Sequence, residues 1–433
     1  MSWSVDDLKE WDDKIIEIAK DYKLDWYPIS YEVCDYYSMI GHMSYHGMPT
    51  HYDHWSYGKS FERTHQMYNL GAEGLPYELI INSNPSIAYL MRENPLYLQI
   101  LIMAHCVGHS DFFKNNRMFQ NTRAESVIGR FRGAKKRIQE YVEDPYIGIQ
   151  KIEEVIDACH ALQYQVYRDG SQRKTHKELV EYYKGLREHD KEGNLILLDL
   201  DSPPLEPDCD IMGFISEHAR MPDWKRDVIE IIRDEAYYFM PQIQTKIMNE
   251  GWASFWHYTI CHDLKLPDKY HIPFLRMHNA VIRPHIGRLN PYHLGFVIFQ
   301  DIKEKHGLEE CFIARESGND ISFIRQYLTE ELCNDLNLFS WSEKKEAFTI
   351  DEISDDDGWK KVKSHMCDSI SDSRLPVIKA VDIDLDGTLM LKHEHDGRDL
   401  ELDYADRTVE HSKCLWGKNV VLNTIIEGEP WEI

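Results

Sequence analysis

The longest apolar stretch of the chain covers residues 96–113 and follows Asn94 and Pro95. An Asn–Pro pair before such a stretch is typical of a helix start. Apolar residues lie around most of the circumference of this predicted helix, which favours a buried position. His105 and His109 stand four positions apart and therefore share one helix face. The sequence thus predicts a buried helix that carries two imidazoles on one side.

Helical periodicity recurs along most of the first three quarters of the chain. Ser4 is a good N-cap for a first amphipathic helix that ends near Tyr22. A short apolar run at residues 77–82 predicts a strand or the approach to a helix. Further helices are predicted at about 85–93, 95–116, 123–140, 149–166, 224–239, 242–261, 291–305 and 320–335.

The pattern becomes one of alternating apolar and polar residues from Pro376 onward. Asp386-Gly387 and Asp396-Gly397 stand at the spacing of hairpin turns between these alternating segments. The C-terminal part of the chain is therefore predicted to form a small antiparallel β unit.

Taken together, these patterns predict a mainly α fold of the α+β class. A large helical domain is expected at residues 1–340, and a smaller C-terminal α+β or β-hairpin domain at residues 341–433. The irregular, proline-containing segment at residues 167–210 is expected to be a connection or an inserted loop.

One short run in the C-terminal part resembles two functional sequence motifs. The run from Asp384 to Leu389 matches the nucleophile motif of haloacid-dehalogenase-type phosphatases, and the run from Asp382 to Gly387 matches the opening of an EF-hand loop. Too few residues follow Leu389 for the doubly wound domain that the phosphatases need, and the twelfth loop position holds His393 in place of a bidentate glutamate. A hairpin turn explains the run more simply.

The composition narrows the classes of function. The 433 residues carry a formal net charge of −25, which disfavours binding to nucleic acid or to an anionic membrane. The nine cysteines are scattered and odd in number, which is typical of a reduced, intracellular protein. No apolar run reaches the length of a membrane span, and the N-terminus lacks a signal-peptide core. We therefore expect a cytoplasmic protein.

Two histidines on one face of a buried helix are a common pair of metal ligands. Glu250, in the run Asn249-Glu250-Gly251, is the best third ligand, because a carboxylate on this apolar, aromatic helix is costly unless it is paired or coordinating. His105, His109 and Glu250 therefore form a candidate zinc site of the gluzincin type. The other interpretation is a buried hydrogen-bond network of histidine and glutamate.

The candidates for catalysis are less well defined. A gluzincin carries its general base directly after the first histidine, where this chain has Cys106. Glu235 is the preferred replacement base, and Glu78 and Asp111 are the other candidates. His257 lies seven positions after Glu250, nearly on the same helix face, and is a candidate fourth ligand or transition-state donor.

Polar residues at the end of the histidine-bearing helix are candidates for contacts around the site. Lys114, Asn115 and Asn116 could orient a substrate carboxylate or amide, or could simply cap the helix. Asp111 is expected to support the site indirectly or to be structural, because it points away from His109 on a straight helix.

A second group of histidines lies in a turn-rich aromatic segment near the N-terminus. His42 and His46 form another His-x-x-x-His pair there, but the segment is predicted to be loop-like. We expect it to form a wall of the active site, with His54 and Trp55 pointing inward, more than a metal site of its own.

Several strings together resemble the stage V sporulation protein R (SpoVR) family, and the resemblance covers almost the whole chain. These strings run from Gly47 to Thr50, His54 to Lys59, Tyr77 to Ser83, Ala104 to Asn116, Phe119 to Thr122, Thr245 to Ser254 and Asn290 to Tyr292.

The resemblance implies an association with spore cortex formation or, outside spore formers, with stress and stationary-phase physiology. It also implies partners, namely a serine protein kinase of the PrkA type and a von Willebrand-type protein. Two functions are therefore open at this point. One is a zinc-dependent hydrolase of amide, peptide or peptidoglycan-type bonds, and the other is a non-catalytic adaptor or regulatory partner of the kinase.

Overall fold

The structure is a computed structural model of the chain. The structure describes residues 3–70, 78–171, 173–185, 200, 203–284, 289–344, 347–353 and 358–433. No helix in these ranges is long and apolar enough to cross a membrane.

Helices dominate the described residues, and the strands are short. The helices are α1 (Val5–Asp21), α2 (Tyr36–Ser44), α3 (Trp55–Asn69), α4 (Leu96–Asn115), α5 (Val127–Glu143), α6 (Gly148–Leu162), α7 (His176–Gly185), α8 (Ile211–His218), α9 (Asp223–Gln244), α10 (Lys246–Asp263), α11 (Asp268–Val281), α12 (Pro291–His306), α13 (Leu308–Ser317), α14 (Asp320–Tyr327), α15 (Glu330–Asp335), α16 (Trp359–Ser369) and α17 (Leu402–Trp416). The strands are β1 (Ile29–Cys34), β2 (Glu78–Ile81), β3 (Ser86–Met91), β4 (Phe339–Lys344), β5 (Ala347–Ile353), β6 (Ile378–Ile383), β7 (Leu389–His393), β8 (Val420–Ile426) and β9 (Glu429–Glu432). The prediction of a mainly helical fold with small sheets is confirmed.

The chain divides into two compact units, each built from two separate segments. The first unit comprises residues 1–135 and 241–374, and the second comprises residues 136–240 and 375–433. This division differs from the predicted boundary at residue 340, because α6 and α8 pack within the same unit as the C-terminal strands and α17.

Helix α4 lies at the centre of the first unit. Every residue from 98 to 113 is buried, as the apolar pattern predicts. Its neighbours are α1, α10, α11 and α13 together with a three-stranded sheet in the order β1-β3-β2. Pro95 is the N-cap residue rather than the first helical residue, so the helix begins one position later than the Asn–Pro pair predicts.

The prediction of a helix at about 85–93 is wrong. This segment is β3, which pairs in parallel with β1 and in antiparallel with β2. Because β3 is the central strand of its sheet and is mostly buried, its residues are apolar on both faces and lack a two-residue period. Periodicity cannot distinguish such a strand from a buried helix.

Two close helix contacts set the spacing of α4, α10 and α12. At the first contact, a Cβ atom on Gly108 would lie 2.7 Å from the Cα atom of Ala253. At the second, a Cβ atom on Gly295 would lie 2.2 Å from the carbonyl oxygen of Ile247 and 2.7 Å from the Cα atom of Gly251. Small residues therefore let α10 approach both α4 and α12 closely.

A Gly295→Ala substitution should destabilise the protein by about 2 kcal/mol, because the added methyl group must push α12 away from α10. Urea unfolding followed by circular dichroism measures this loss. Gly129 in α5 is the matched control, since a Cβ atom there would meet no atom within 4 Å. Gly129→Ala should be neutral or slightly stabilising, and equal stabilities of the two variants would contradict the close contact.

The second unit contains a four-stranded sheet in the order β6-β7-β8-β9. Its first and last pairs are antiparallel, whereas β7 and β8 are parallel and are connected through α17. Gly387 adopts a φ of +88° in the β6–β7 turn, so the predicted Asp386-Gly387 hairpin is confirmed. The second predicted turn, at Asp396-Gly397, is not a hairpin, because the segment after it forms α17.

Candidate metal centre

Three elements of the first unit bring four ionisable side chains together. Helix α4 supplies His105 and His109, α10 supplies Glu250, and the first residue of β2 is Glu78. The Nε2 atom of His105 lies 3.6 Å from Oε1 of Glu78 and 3.7 Å from Oε2 of Glu250. The Nε2 atom of His109 lies 3.5 Å from the same Glu250 oxygen.

The cluster is buried on its histidine side and partly open on its glutamate side. The side chains of His105 and His109 are 3% and 6% exposed, whereas those of Glu78 and Glu250 are 14% and 17% exposed. The two carboxylates are therefore the members of the cluster with the most contact with solvent.

Three side chains of the cluster lie close enough together that they could hold a metal ion. Glu78, His105 and His109 each offer one ligand atom within 4.8 Å of the others, and they are the one such group among the described residues. Nε2 of His105 and Oε2 of Glu250 are buried atoms without a hydrogen-bond partner. Unsatisfied buried polar atoms are costly, and a bound cation is one way to satisfy them.

His109 contacts Asn249 through Nδ1 and faces Glu250 through Nε2; burial alone would lower the pKa of His109, but Glu250 outweighs burial and raises it. The Nδ1 atom of His109 lies 2.8 Å from Oδ1 of Asn249, an oxygen that can only accept a hydrogen bond. A neutral imidazole that donates from Nδ1 has an unprotonated Nε2, and this nitrogen faces the carboxylate of Glu250. Two acceptors facing each other need a proton or a cation between them.

The surroundings shift the pKa values of the two carboxylates in opposite directions. Burial alone would raise the pKa of Glu250, but His105 and His109 outweigh burial and lower its pKa. Burial raises the pKa of Glu78; His105 opposes this rise, and the charge of Glu250 adds to it. Neighbouring acids whose pKa values are pushed apart are suited to different roles, here an ionised ligand and a proton acceptor.

Tyr292, at the start of α12, joins the cluster although it was not among the predicted site residues. Its ring stacks on that of His105, with 6.2 Å between the ring centroids. Burial and the charges of Glu250 and Glu78 raise the pKa of Tyr292 well above its ordinary value, so its phenol stays protonated. The Asn290-Pro291 helix start was visible in the sequence, but nothing there indicated which element α12 faces.

His257 lies beside the cluster rather than in it. Its Nδ1 atom lies 2.9 Å from Nδ1 of His105, and its Nε2 atom lies 2.8 Å from Nδ1 of His278. Both ring nitrogens are therefore engaged by other histidines. The predicted role of His257 as a fourth ligand or transition-state donor stays a prediction.

Asp111 lies in the core and ties α4 to its neighbours. Its carboxylate accepts hydrogen bonds at 2.8 Å from the backbone N–H of Asp25, from the indole of Trp252 and from the guanidinium of Arg315. All three partners are groups of the protein itself, which favours the structural role among those considered for Asp111.

The three polar residues after Asp111 also bond to the protein. Lys114 forms an ion pair with Asp25, and Asn115 donates to the backbone carbonyl of Asp25 at 2.7 Å. Asn116 is buried and donates to the backbone carbonyl of Arg315 at 2.7 Å. These bonds hold the C-terminal end of α4; contact of the three side chains with a substrate stays a prediction.

Other predicted residues belong to other helices. Glu235 lies on α9 in the second unit, so its role as a base stays a prediction. His54 caps α3 and packs against Trp55, which is half exposed. His42 stacks on Tyr89 with 3.8 Å between the ring centroids.

Cys106 occupies the position that a glutamate holds in gluzincins. Its thiol is fully buried, and burial together with the charges of Glu78 and Asp12 raises the pKa of Cys106 well above its ordinary value. A buried thiol that resists ionisation is unsuited to act as a nucleophile.

Comparison with known proteins covers the whole chain. The family described as "SpoVR like protein" matches residues 2–375, and the "SpoVR-like C-terminal domain" matches residues 376–427. A protein of Escherichia coli (strain K12), named "Uncharacterized protein YcgB", is 34% identical over 474 residues, covering 97% of this chain and 92% of the relative. No solved structure matches the chain. The chain therefore belongs to the SpoVR family.

Proposed function

We propose that the chain is a zinc-dependent hydrolase whose metal is held by His105, His109 and Glu250. One observation carries this proposal: the imidazole nitrogens lie 3.5 and 3.7 Å from the Glu250 oxygen. These separations exceed ordinary hydrogen bonds. Two ligand atoms that each lie about 2.1 Å from a tetrahedral zinc ion are about 3.4 Å apart, so the spacing fits a shared metal.

Two further residues of the cluster, Glu78 and Tyr292, support the proposal of hydrolysis. A zinc ion bound here would supply a Lewis acid and a local positive charge. Glu78, whose pKa is raised, can accept a proton from an attacking water molecule and pass it to a leaving amine. The protonated phenol of Tyr292 can donate a hydrogen bond to a developing oxyanion. This set of groups fits cleavage of an amide bond, as in peptides or peptidoglycan stems.

The test begins with the metal content of the wild-type protein purified without chelators. Elemental mass spectrometry should find about one zinc ion per chain. The zinc-loaded protein is then offered a mixture of peptides and muropeptides, and cleavage is followed by mass spectrometry. Cleavage that disappears with a chelator and returns with zinc supports the proposal, whereas protein without stoichiometric zinc contradicts it.

Glu78→Gln should keep the zinc ion but lower hydrolysis about 100-fold, because the amide cannot accept the proton. The measurements are zinc content and the initial rate on a cleaved peptide. Glu62→Gln is the matched control, since Glu62 is an exposed residue of α3. If Glu78→Gln loses zinc, Glu78 is a ligand and the assignment of the base is wrong.

Further proposals, about the physiological role of the chain, come from its family. A link to spore cortex formation or to stationary-phase physiology, a cytoplasmic location, and partnership with a PrkA-type kinase and a von Willebrand-type protein all come from the resemblance alone. The adaptor hypothesis is favoured by one observation, the buried cysteine in place of the usual catalytic glutamate. If Glu250→Gln leaves the cellular role intact, this result supports the adaptor hypothesis and contradicts the hydrolase hypothesis.

A further inference from the structure

We infer that His257 and His278 act as positioning residues that fix the tautomer and orientation of His105, so that its Nε2 atom is free for the metal. This inference rests on the proposed zinc site. Three buried imidazoles lie in a row, joined by contacts of 2.9 Å between His105 and His257 and 2.8 Å between His257 and His278. Each of them is at most 2% exposed.

A row of neutral imidazoles can be hydrogen-bonded in only two directions, because each ring carries one N–H and one lone pair. In the outward direction, His105 donates from Nδ1 to His257, and His257 donates from Nε2 to His278. In the inward direction, His278 donates to His257, and His257 donates to His105.

The direction decides what His105 presents to the cluster. The outward direction leaves a lone pair on Nε2, the nitrogen that faces Glu78 and Glu250. The inward direction places a proton on that nitrogen and gives the histidine–glutamate network that needs no metal. Only the outward direction is compatible with a metal ligand, as in other sites where a partner of the far nitrogen fixes the tautomer.

The surroundings of His278 allow a clean test of this role. Its ring packs against Tyr258, Phe274 and Phe296, with centroid distances of 4.8, 6.1 and 5.1 Å. A phenylalanine at this position finds aromatic neighbours and fills a similar volume. His278→Phe therefore removes the hydrogen-bond acceptor of His257 while retaining the packing.

The experiment measures zinc affinity by competition with a chromophoric chelator, together with the melting temperature. His278→Phe should bind zinc about 10-fold more weakly than the wild type, with a modest fall in melting temperature because the buried N–H of His257 loses its acceptor. His278→Gln, whose carbonyl oxygen can accept the same hydrogen bond, should recover most of the affinity. His262→Gln is the control, because His262 is an exposed residue of α10 bonded to its own helix.

Visible absorption of the Co²⁺-substituted proteins gives a second readout, since a reoriented His105 changes the ligand field. If His278→Phe does not fold, His278→Leu carries the same test. Wild-type affinity and spectrum in the folded variant would overturn the inference while leaving the zinc site intact. A wild-type protein that takes up no zinc would remove the proposed function and this inference together.

Discussion

Replacing His109 by alanine should reduce the zinc content of the purified protein from about one ion per chain to near zero. His109 contributes one of two imidazole nitrogens on α4, and Asn249 holds its ring with the other nitrogen turned toward Glu250. Without this ligand, only one imidazole and a carboxylate remain around the metal position, together with Glu78. Elemental mass spectrometry on protein purified without chelators measures the loss.

The control for this variant is His262→Ala, which removes an exposed histidine of the neighbouring helix α10. It should retain the wild-type zinc content. Circular dichroism must show that His109→Ala keeps its helices, so that the loss is not one of folding. Equal zinc contents in His109→Ala and the wild type would mean that the metal, if any, binds elsewhere.

The helices that carry His105, His109 and Glu250 could be predicted because their sequence signal is local. Four-residue spacing places His105 and His109 on one face whatever the rest of the fold, and a glutamate on an apolar helix indicates a partner wherever that helix packs. In the structure, Glu250 lies within 3.7 Å of both imidazoles, and metal binding by the three side chains stays a prediction.

The surroundings of the cluster could not be predicted, because they depend on which helices face each other. Tyr292 and His278 come from α12 and α11, and only the first of these helices was predicted from the sequence. The approach of α12 to α10 depends on Gly295, where the absence of a side chain lets the helix backbones meet. A periodic pattern shows that a face is buried but does not identify its partner.

The division of the chain into two units could not be predicted from the sequence for a related reason. Composition changes near residue 341, but compactness follows long-range packing between segments that are distant in sequence. Helix α6 packs on α17, more than 200 positions further along, and the two segments belong to one unit. The buried strand β3 escaped recognition because a central strand has no two-residue period.

Replacing Asp111 by alanine should destabilise the protein by about 3–5 kcal/mol, because it leaves the buried guanidinium of Arg315 with only the exposed carboxylate of Glu316 as a counter-charge. The side chains of Asp111 and Arg315 are 0% and 5% exposed, and their atoms lie 2.8 Å apart. The same carboxylate holds the indole of Trp252 on α10 and the backbone N–H of Asp25. Urea unfolding followed by circular dichroism measures the loss.

Two comparisons separate this structural role from a role in the site. Asp53→Ala removes an exposed carboxylate whose partner, Lys135, lies 3.5 Å away, and it should cost less than about 1 kcal/mol. Asp111→Ala should also keep about one zinc ion per folded chain, because the three hydrogen bonds of Asp111 hold Asp25, Trp252 and Arg315 rather than the metal ligands. A stable Asp111→Ala protein that has lost its zinc or its hydrolysis would instead place Asp111 in the functional site, as a contact to the metal ligands or the substrate.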